Sequence, residues 1–193
     1  MSFEFTGDYL VEAKRNIAKY PDGRQQSAVL ALLFLAQQQN HAGGNHVTEE
    51  AMRTISQMLE MPYIRVMEVA TFFTQINLSP IGKYHLQLCG TTPCMLRGAE
   101  AIKQKIMDKL DIDDGETSAD GMFTLTEVEC LGACCNAPMV QINDDYFEDL
   151  TPEIMEALLD KLAAGDAVTP GPQNSRKYSE PQSGQKTLLA AKP

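Results

Sequence analysis

Residues 84–94, Tyr84-His85-Leu86-Gln87-Leu88-Cys89-Gly90-Thr91-Thr92-Pro93-Cys94, open with an alternation of period two and end in a cysteine-bearing loop. Tyr84, Leu86 and Leu88 alternate with His85 and Gln87, the pattern of a β-strand ending at Cys89. The same device returns once. Phe123 to Val128 reads as a strand and runs into Cys130-Leu131-Gly132-Ala133-Cys134-Cys135. Between the two, Met95 to Leu110 has helical character, and the acidic stretch Asp111 to Gly121 reads as a loop. Further on, Met139 to Ile142 predicts a third strand, and Asn143-Asp144-Asp145 a turn into a short partner at Tyr146-Phe147. Thr151 is an N-cap with Pro152 at the first helical position, opening a last helix to about Ala163.

Strand, helix, strand, hairpin, helix is an α/β order of the thioredoxin kind. Upstream of residue 80 the chain reads as helices alone. One runs from about Tyr9 to Lys19 and stops at Pro21-Asp22-Gly23. A second runs from about Gln25 to Gln39 and ends at His41-Ala42-Gly43-Gly44. Thr48 caps a third, with Glu49 and Glu50 where the helix dipole favours anions. Pro62 opens a fourth, in which Val66, Val69, Ala70, Phe73 and Ile76 recur at helical spacing as a core face. The organisation expected is a helical part over 1–80, an α/β domain over 81–165 and an extended tail over 166–193, which is polar, rich in Pro, Gly, Ser and Gln, and without period.

A formal net charge of -10 speaks against nucleic acid, because phosphate binding needs clustered Lys and Arg. The longest apolar run, Ala28 to Ala36, falls far short of the ~20 residues of a membrane span. The amino terminus has neither a signal-peptide pattern nor an Arg-rich, acid-poor composition, so a cytoplasmic location is expected. In a reducing compartment five cysteines point to metal or catalytic use before disulfides.

Four of the five form two pairs, Cys89-x4-Cys94 and Cys130-x3-Cys134. Each pair follows a strand, in a loop of small residues. Thiolates at strand ends can converge on one point, and amides of Gly90, Thr91, Thr92, Gly132 and Ala133 are placed to donate to sulfur, while Glu127 and Glu129 add negative charge. Four thiolates suit a [2Fe–2S] cluster, a [4Fe–4S] cluster or zinc. Zinc favours the shorter C-x2-C knuckle, whereas a binuclear cluster puts two thiolates on each iron and accepts two looser pairs. A dithiol enzyme would need C-x-x-C at a helix N-terminus, which is missing. Cys135 reads as a small buried side chain turned away from the metal. His85 reads as a satisfied core or surface histidine, and His41 and His46 have no Cys or carboxylate partner nearby. No Gly-rich phosphate loop and no nucleophile–base pair is present, so no catalytic residue is assigned and hydride chemistry by this chain alone is not expected.

Val69-Ala70-Thr71-Phe72-Phe73, Gly82-Lys83-Tyr84, Cys89-Gly90-Thr91-Thr92-Pro93-Cys94-Met95-Leu96-Arg97-Gly98, Glu129-Cys130-Leu131-Gly132-Ala133-Cys134 and Asn136-Ala137-Pro138 together resemble the thioredoxin-like [2Fe–2S] subunit of bacterial NADH:quinone oxidoreductase, complex I. The resemblance extends from the first helices to about Leu162. It implies an α/β chain with a helical N-terminal part followed by a thioredoxin-like [2Fe–2S] ferredoxin domain, the cluster held by Cys89, Cys94, Cys130 and Cys134. It implies a neighbouring subunit that binds FMN and NADH, and the larger iron–sulfur subunit of the peripheral arm as a further partner. The cluster would then exchange single electrons with the flavin, off the main electron path, in a complex whose arm lies at the cytoplasmic face of the inner membrane. The same domain occurs in NAD-linked formate dehydrogenases and NAD-reducing hydrogenases, and a free-standing thioredoxin-like ferredoxin is the other alternative. Pro170-Gly171-Pro172, Ser175-Arg176-Lys177 and Glu180-Pro181 resemble the C-terminal extension of complex I members. That tail is expected to act as an arm on the flavin subunit, so that removing residues 168–193 weakens partner binding and leaves the cluster unchanged.

Overall fold

The alternating stretch at 84–89 forms an interior strand of a five-stranded sheet, second from one edge. The structure is a computed structural model describing residues 3–181 together with 183, 184 and 187. The rest of the tail, residues 182, 185, 186 and 188–193, lies outside the described residues. The chain divides into two compact units, Met1–Ile81 and Gly82–Pro193.

The first unit is built from α1 (Gly7–Ala18), α2 (Val29–Gln39), α3 (Glu49–Met58) and α4 (Tyr63–Phe72). Its core gathers Phe5, Ala13, Leu32, Leu33, Ile55 and Val66. The Thr48 hydroxyl accepts from the Ala51 amide at 3.2 Å, the N-cap that its position before Glu49 and Glu50 calls for. Helix α4 is shorter than its apolar period. Phe73 already has extended backbone, and Ile76 is buried from the turn that succeeds it. Phe72, at the helix end, is 78% exposed.

The second unit contains β1 (Tyr84–Cys89), α5 (Thr92–Leu96), α6 (Ala99–Leu110), β2 (Phe123–Val128), β3 (Val140–Ile142), β4 (Asp145–Glu148), α7 (Pro152–Ala164) and β5 (Gly171–Pro172), with sheet order β2-β1-β3-β4-β5. β1 runs parallel to β2 and antiparallel to β3, and β3 and β4 form the hairpin. Helices α6 and α7 pack on the sheet through Ile102, Ile106, Met155, Leu158 and Leu159. The helix read over Met95 to Leu110 is in fact two, α5 and α6, because Gly98 takes φ +100°, a left-handed conformation that no helix interior accommodates. Gly82 is needed for close approach: a Cβ there would lie 2.9 Å from backbone atoms of Met122 and Phe123. The part of the tail just beyond α7 adds β5 to the open edge, Phe147 opposite Gly171 and Glu148 opposite Pro172. An edge position tolerates a proline, which has no amide to donate.

β1 is flanked by β2 and β3, and His85 on it is buried. Its Nε2 sits 3.0 Å from the Thr126 hydroxyl. Burial holds the imidazole neutral and lowers its pKa to about 4, from an ordinary value of 6.5. The unfolded chain therefore takes up this proton near pH 6.5 and the folded chain only near pH 4. The stability this site contributes is complete above about pH 6.5 and is lost as pH falls toward 4, by up to about 3 kcal/mol. Denaturation of His85→Gln at pH 7 and pH 4.5 should show a smaller loss on acidification than the native chain. Equal losses in both would mean that His85 does not carry this pH dependence.

Candidate metal centre

Parallel pairing decides the geometry of the site. In the β1/β2 register Cys89 lies opposite Val128, and the Gly90 amide extends the ladder by donating to the Val128 carbonyl at 3.3 Å. Two parallel neighbours end at the same edge of the sheet, so the loop after Cys89 and the loop carrying Cys130 leave side by side. The first loop turns at once into α5, with Thr91 as N-cap and Pro93 in the first turn, and this places Cys94. The second passes through Cys130 and closes in a 3₁₀ turn, Cys134–Asn136, before the cis Ala137–Pro138 peptide and β3. Cys89 and Cys94 are buried, whereas Cys130 and Cys134 are exposed. The centre thus has a protein-facing pair and a solvent-facing pair.

Within the second pair the Sγ atoms of Cys130 and Cys134 are 3.7 Å apart. In the first pair Cys89 and Cys94 are close enough to act on each other's ionisation, and Sγ of Cys89 lies 3.3 Å from the Thr91 hydroxyl. Burial pushes the Cys89 thiol up, but bonds from the Thr91 hydroxyl, the Leu131 amide, the Thr91 amide and Cys94 outweigh it, leaving the pKa below the usual thiol value. Burial, then the neighbouring Cys89, push Cys94 up to about 12, against an opposing bond from the Met139 amide and with Cys134 adding to the rise. Cys134 is raised by its bond with Cys130, then by partial desolvation and by the charges of Cys130 and Cys89. The Leu131 amide of one loop reaches the Cys89 sulfur of the other, and Cys94, Cys134 and Cys89 act on one another electrostatically. The two pairs are thus near enough to influence one another across the two loops.

The surroundings differ from the expectation in several places. The Gly90 amide is taken by Val128, and the amides that bear on the ionisation of the Cys89 and Cys94 thiols are those of Thr91, Leu131 and Met139. Leu131 and Met139 were not evident beforehand, since they come near the thiols only after the strands pair. The Glu127 carboxylate lies against Gly90, where a Cβ would sit 2.0 Å from its Oε1. Lys103 holds its other oxygen at 2.6 Å and so balances its charge. Cys135 is exposed, not buried, because the 3₁₀ turn sends Asn136 inward in its place. His46 meets Asn40 instead of a metal partner, with Nδ1 3.2 Å from Asn40 Nδ2.

Among the described residues no three Cys, His, Asp or Glu side chains are grouped as a site for one metal ion. The arrangement is two pairs. A binuclear cluster is matched by two cysteines for each of two irons, by amide and hydroxyl donors aimed at sulfur, and by small residues in both loops.

A family model described as thioredoxin-like [2Fe–2S] ferredoxin matches residues 13–163. The E subunit of NADH-quinone oxidoreductase from Rickettsia bellii is 53% identical over 161 residues, covering 83% of this chain and 95% of that one. The chain belongs to this family of thioredoxin-like [2Fe–2S] ferredoxins. The E 1 subunit of NADH-quinone oxidoreductase from Rhizobium meliloti is 48% identical over 195 residues, spanning 100% of this chain and 70% of that one. The fold is also found in a crystal structure of an NAD+-reducing [NiFe]-hydrogenase, with a TM-score of 0.60 at 21% identity, covering 71% of this chain. This chain spans only 23% of that longer one, and the likeness concerns the fold alone. Membership of the family implies a [2Fe–2S] cluster, and the two facing cysteine pairs are the site in this chain that fits it.

Proposed function

We propose that Cys89 and Cys94 hold one iron of the [2Fe–2S] cluster and Cys130 and Cys134 the other, in an electron-transfer subunit of NADH:quinone oxidoreductase. The parallel β1/β2 register carries this reading, since it sets two separate thiol pairs at one sheet edge. Bound there, the cluster stores and passes one electron at a time. The chain supplies four thiolates, amide and hydroxyl donors that offset sulfur charge, and a buried wall formed by Cys89, Cys94 and Met139 that keeps water from one side. The exposed side, with Cys130 and Cys134, is where an electron partner can approach.

The partner proposed for that side is the subunit that binds FMN and NADH, with the larger iron–sulfur subunit of the peripheral arm as a second neighbour. Among the described residues no helix is long and apolar enough to cross a membrane. The proposed place is accordingly peripheral, at the cytoplasmic face of the inner membrane, through the complex. Co-expressed with the flavin subunit, the tagged full-length chain should retain it on a column together with NADH–ferricyanide activity. Alone it should show none, because it offers no nucleotide-binding loop. Failure to retain the flavin subunit, or activity in the flavin-free chain, would overturn this assignment.

A further inference from the structure

The tail returns to the metal centre. β5 pairs with β4, and Gln173 donates from its amide to the Glu148 carbonyl at 3.0 Å, which fixes the register of the residues after it. Arg176 is thereby laid over Asp149. Its Nε donates to Asp149 Oδ2 at 3.0 Å and its Nη2 to Oδ1, while Nη1 donates to the Glu180 carbonyl at 3.0 Å. The same Nη2 donates to the carbonyl of Cys135 at 3.0 Å. The ion pair is enclosed, with side chains 10% and 8% exposed for Arg176 and Asp149. This differs from the surface pairs on the helices, which hold little.

The two residues just after Cys134 are fastened to this group. The Cys135 carbonyl takes Arg176. The Asn136 carbonyl accepts from the Asp149 amide at 2.8 Å, and the Asn136 side chain donates to the Tyr178 carbonyl at 2.8 Å and to Asp149 Oδ2 at 3.4 Å. Between the two cysteines, the Tyr146 hydroxyl donates to the Leu131 carbonyl at 2.8 Å. Cys130 and Cys134 are themselves exposed, while Leu131 and Ala133 between them pack against the core. Hydrogen bonds add to that packing, and for fixing the backbone after Cys134 a planar guanidinium with several directed donors suits better than an ammonium would.

We infer that Arg176, seated on Asp149, is a positioning residue for the solvent-facing half of the metal centre: it fixes the backbone after Cys134 and thereby the place of that thiol. The inference rests on the reading that Cys134 is a ligand. It runs against the expectation that removing residues 168–193 leaves the cluster unchanged, since one side chain of that segment bonds the residue next to Cys134.

The test uses the full-length chain with its cluster, comparing native, Arg176→Gln, Arg176→Lys and Ile106→Val. The last lowers the stability of the same core from α6. Two quantities are read: the rate at which a ferrous chelator bleaches the visible absorption under reductant, and the EPR line shape of the reduced cluster. Arg176→Gln should lose its cluster about tenfold faster, the scale on which outer partners of metal ligands act, with a changed line shape. Arg176→Lys should recover part of both, and Ile106→Val should keep the native line shape. A rate for Arg176→Gln within twofold of native, or a faster loss with the native line shape that Ile106→Val reproduces, overturns the inference. A native chain with no acid-labile sulfide would instead overturn the cluster assignment itself, before any variant is compared.

Discussion

Cys94→Ala should purify with less than about a tenth of the native cluster content, since even outer partners of a ligand are worth 10–100-fold in metal affinity. Cys94 is 1% exposed, fixed by α5 directly after β1, and packed among core residues of the second unit. Exchanging its sulfur for a hydrogen removes about one small group from that core, so the chain should still fold, and colourless folded protein is the expected product. Cys135→Ala is the matched control, because Cys135 is exposed and turned away from Asn136, its inward neighbour. Its visible spectrum and iron content should equal those of the native chain. Native colour in Cys94→Ala, or bleaching by Cys135→Ala, would show that the ligand set is wrong.

Phe123→Ala should destabilise the second unit by about 3–5 kcal/mol, the range for removing a buried aromatic ring. Phe123 is 2% exposed and stands opposite Tyr84 in the parallel register, with ring centroids 5.5 Å apart. The ring anchors the start of the β1/β2 pair whose far end delivers both cysteine loops, so the loss should also be read at the metal centre. Urea denaturation followed by the visible absorption of the cluster reports it, as a lower midpoint at unchanged slope. Phe72→Ala, at a ring 78% exposed on α4, should change stability by no more than about 0.5 kcal/mol. If Phe123→Ala cost less than about 1 kcal/mol on that scale, the packing described for β1 and β2 could not be what positions the site.

Much of this molecule was legible in its sequence where one local rule decided the outcome. The alternation at 84–89, the caps at Thr48 and Thr151 and the two cysteine spacings each have a short-range cause, and the corresponding elements and N-caps are found in the structure. What escaped depends on contacts between distant residues. Gly98 lies within an otherwise helical pattern, and a lone glycine costs a helix only about 1 kcal/mol. Nothing local announced that it would turn left-handed and separate α5 from α6. Phe73 and Ile76 continue the period of α4, yet the chain leaves the helix and buries Ile76 from a turn. Cys135 was read as buried from the habits of free cysteine, and the 3₁₀ turn gave that place to Asn136. The tail was the largest gap. Gly171-Pro172 has no strand character of its own, and the link from Arg176 to Asp149 spans 27 residues without any period to betray it. Likewise the Leu131 and Met139 amides came to bear on the thiols only through strand pairing.

Whether the two facing thiol pairs hold one [2Fe–2S] cluster is decided by iron and acid-labile sulfide on the purified full-length chain, with an EPR spectrum after dithionite reduction. Red-brown protein is expected, with iron and sulfide in equal amounts and a spin-half signal in the reduced form. Colourless protein that carries zinc and no sulfide would contradict the assignment.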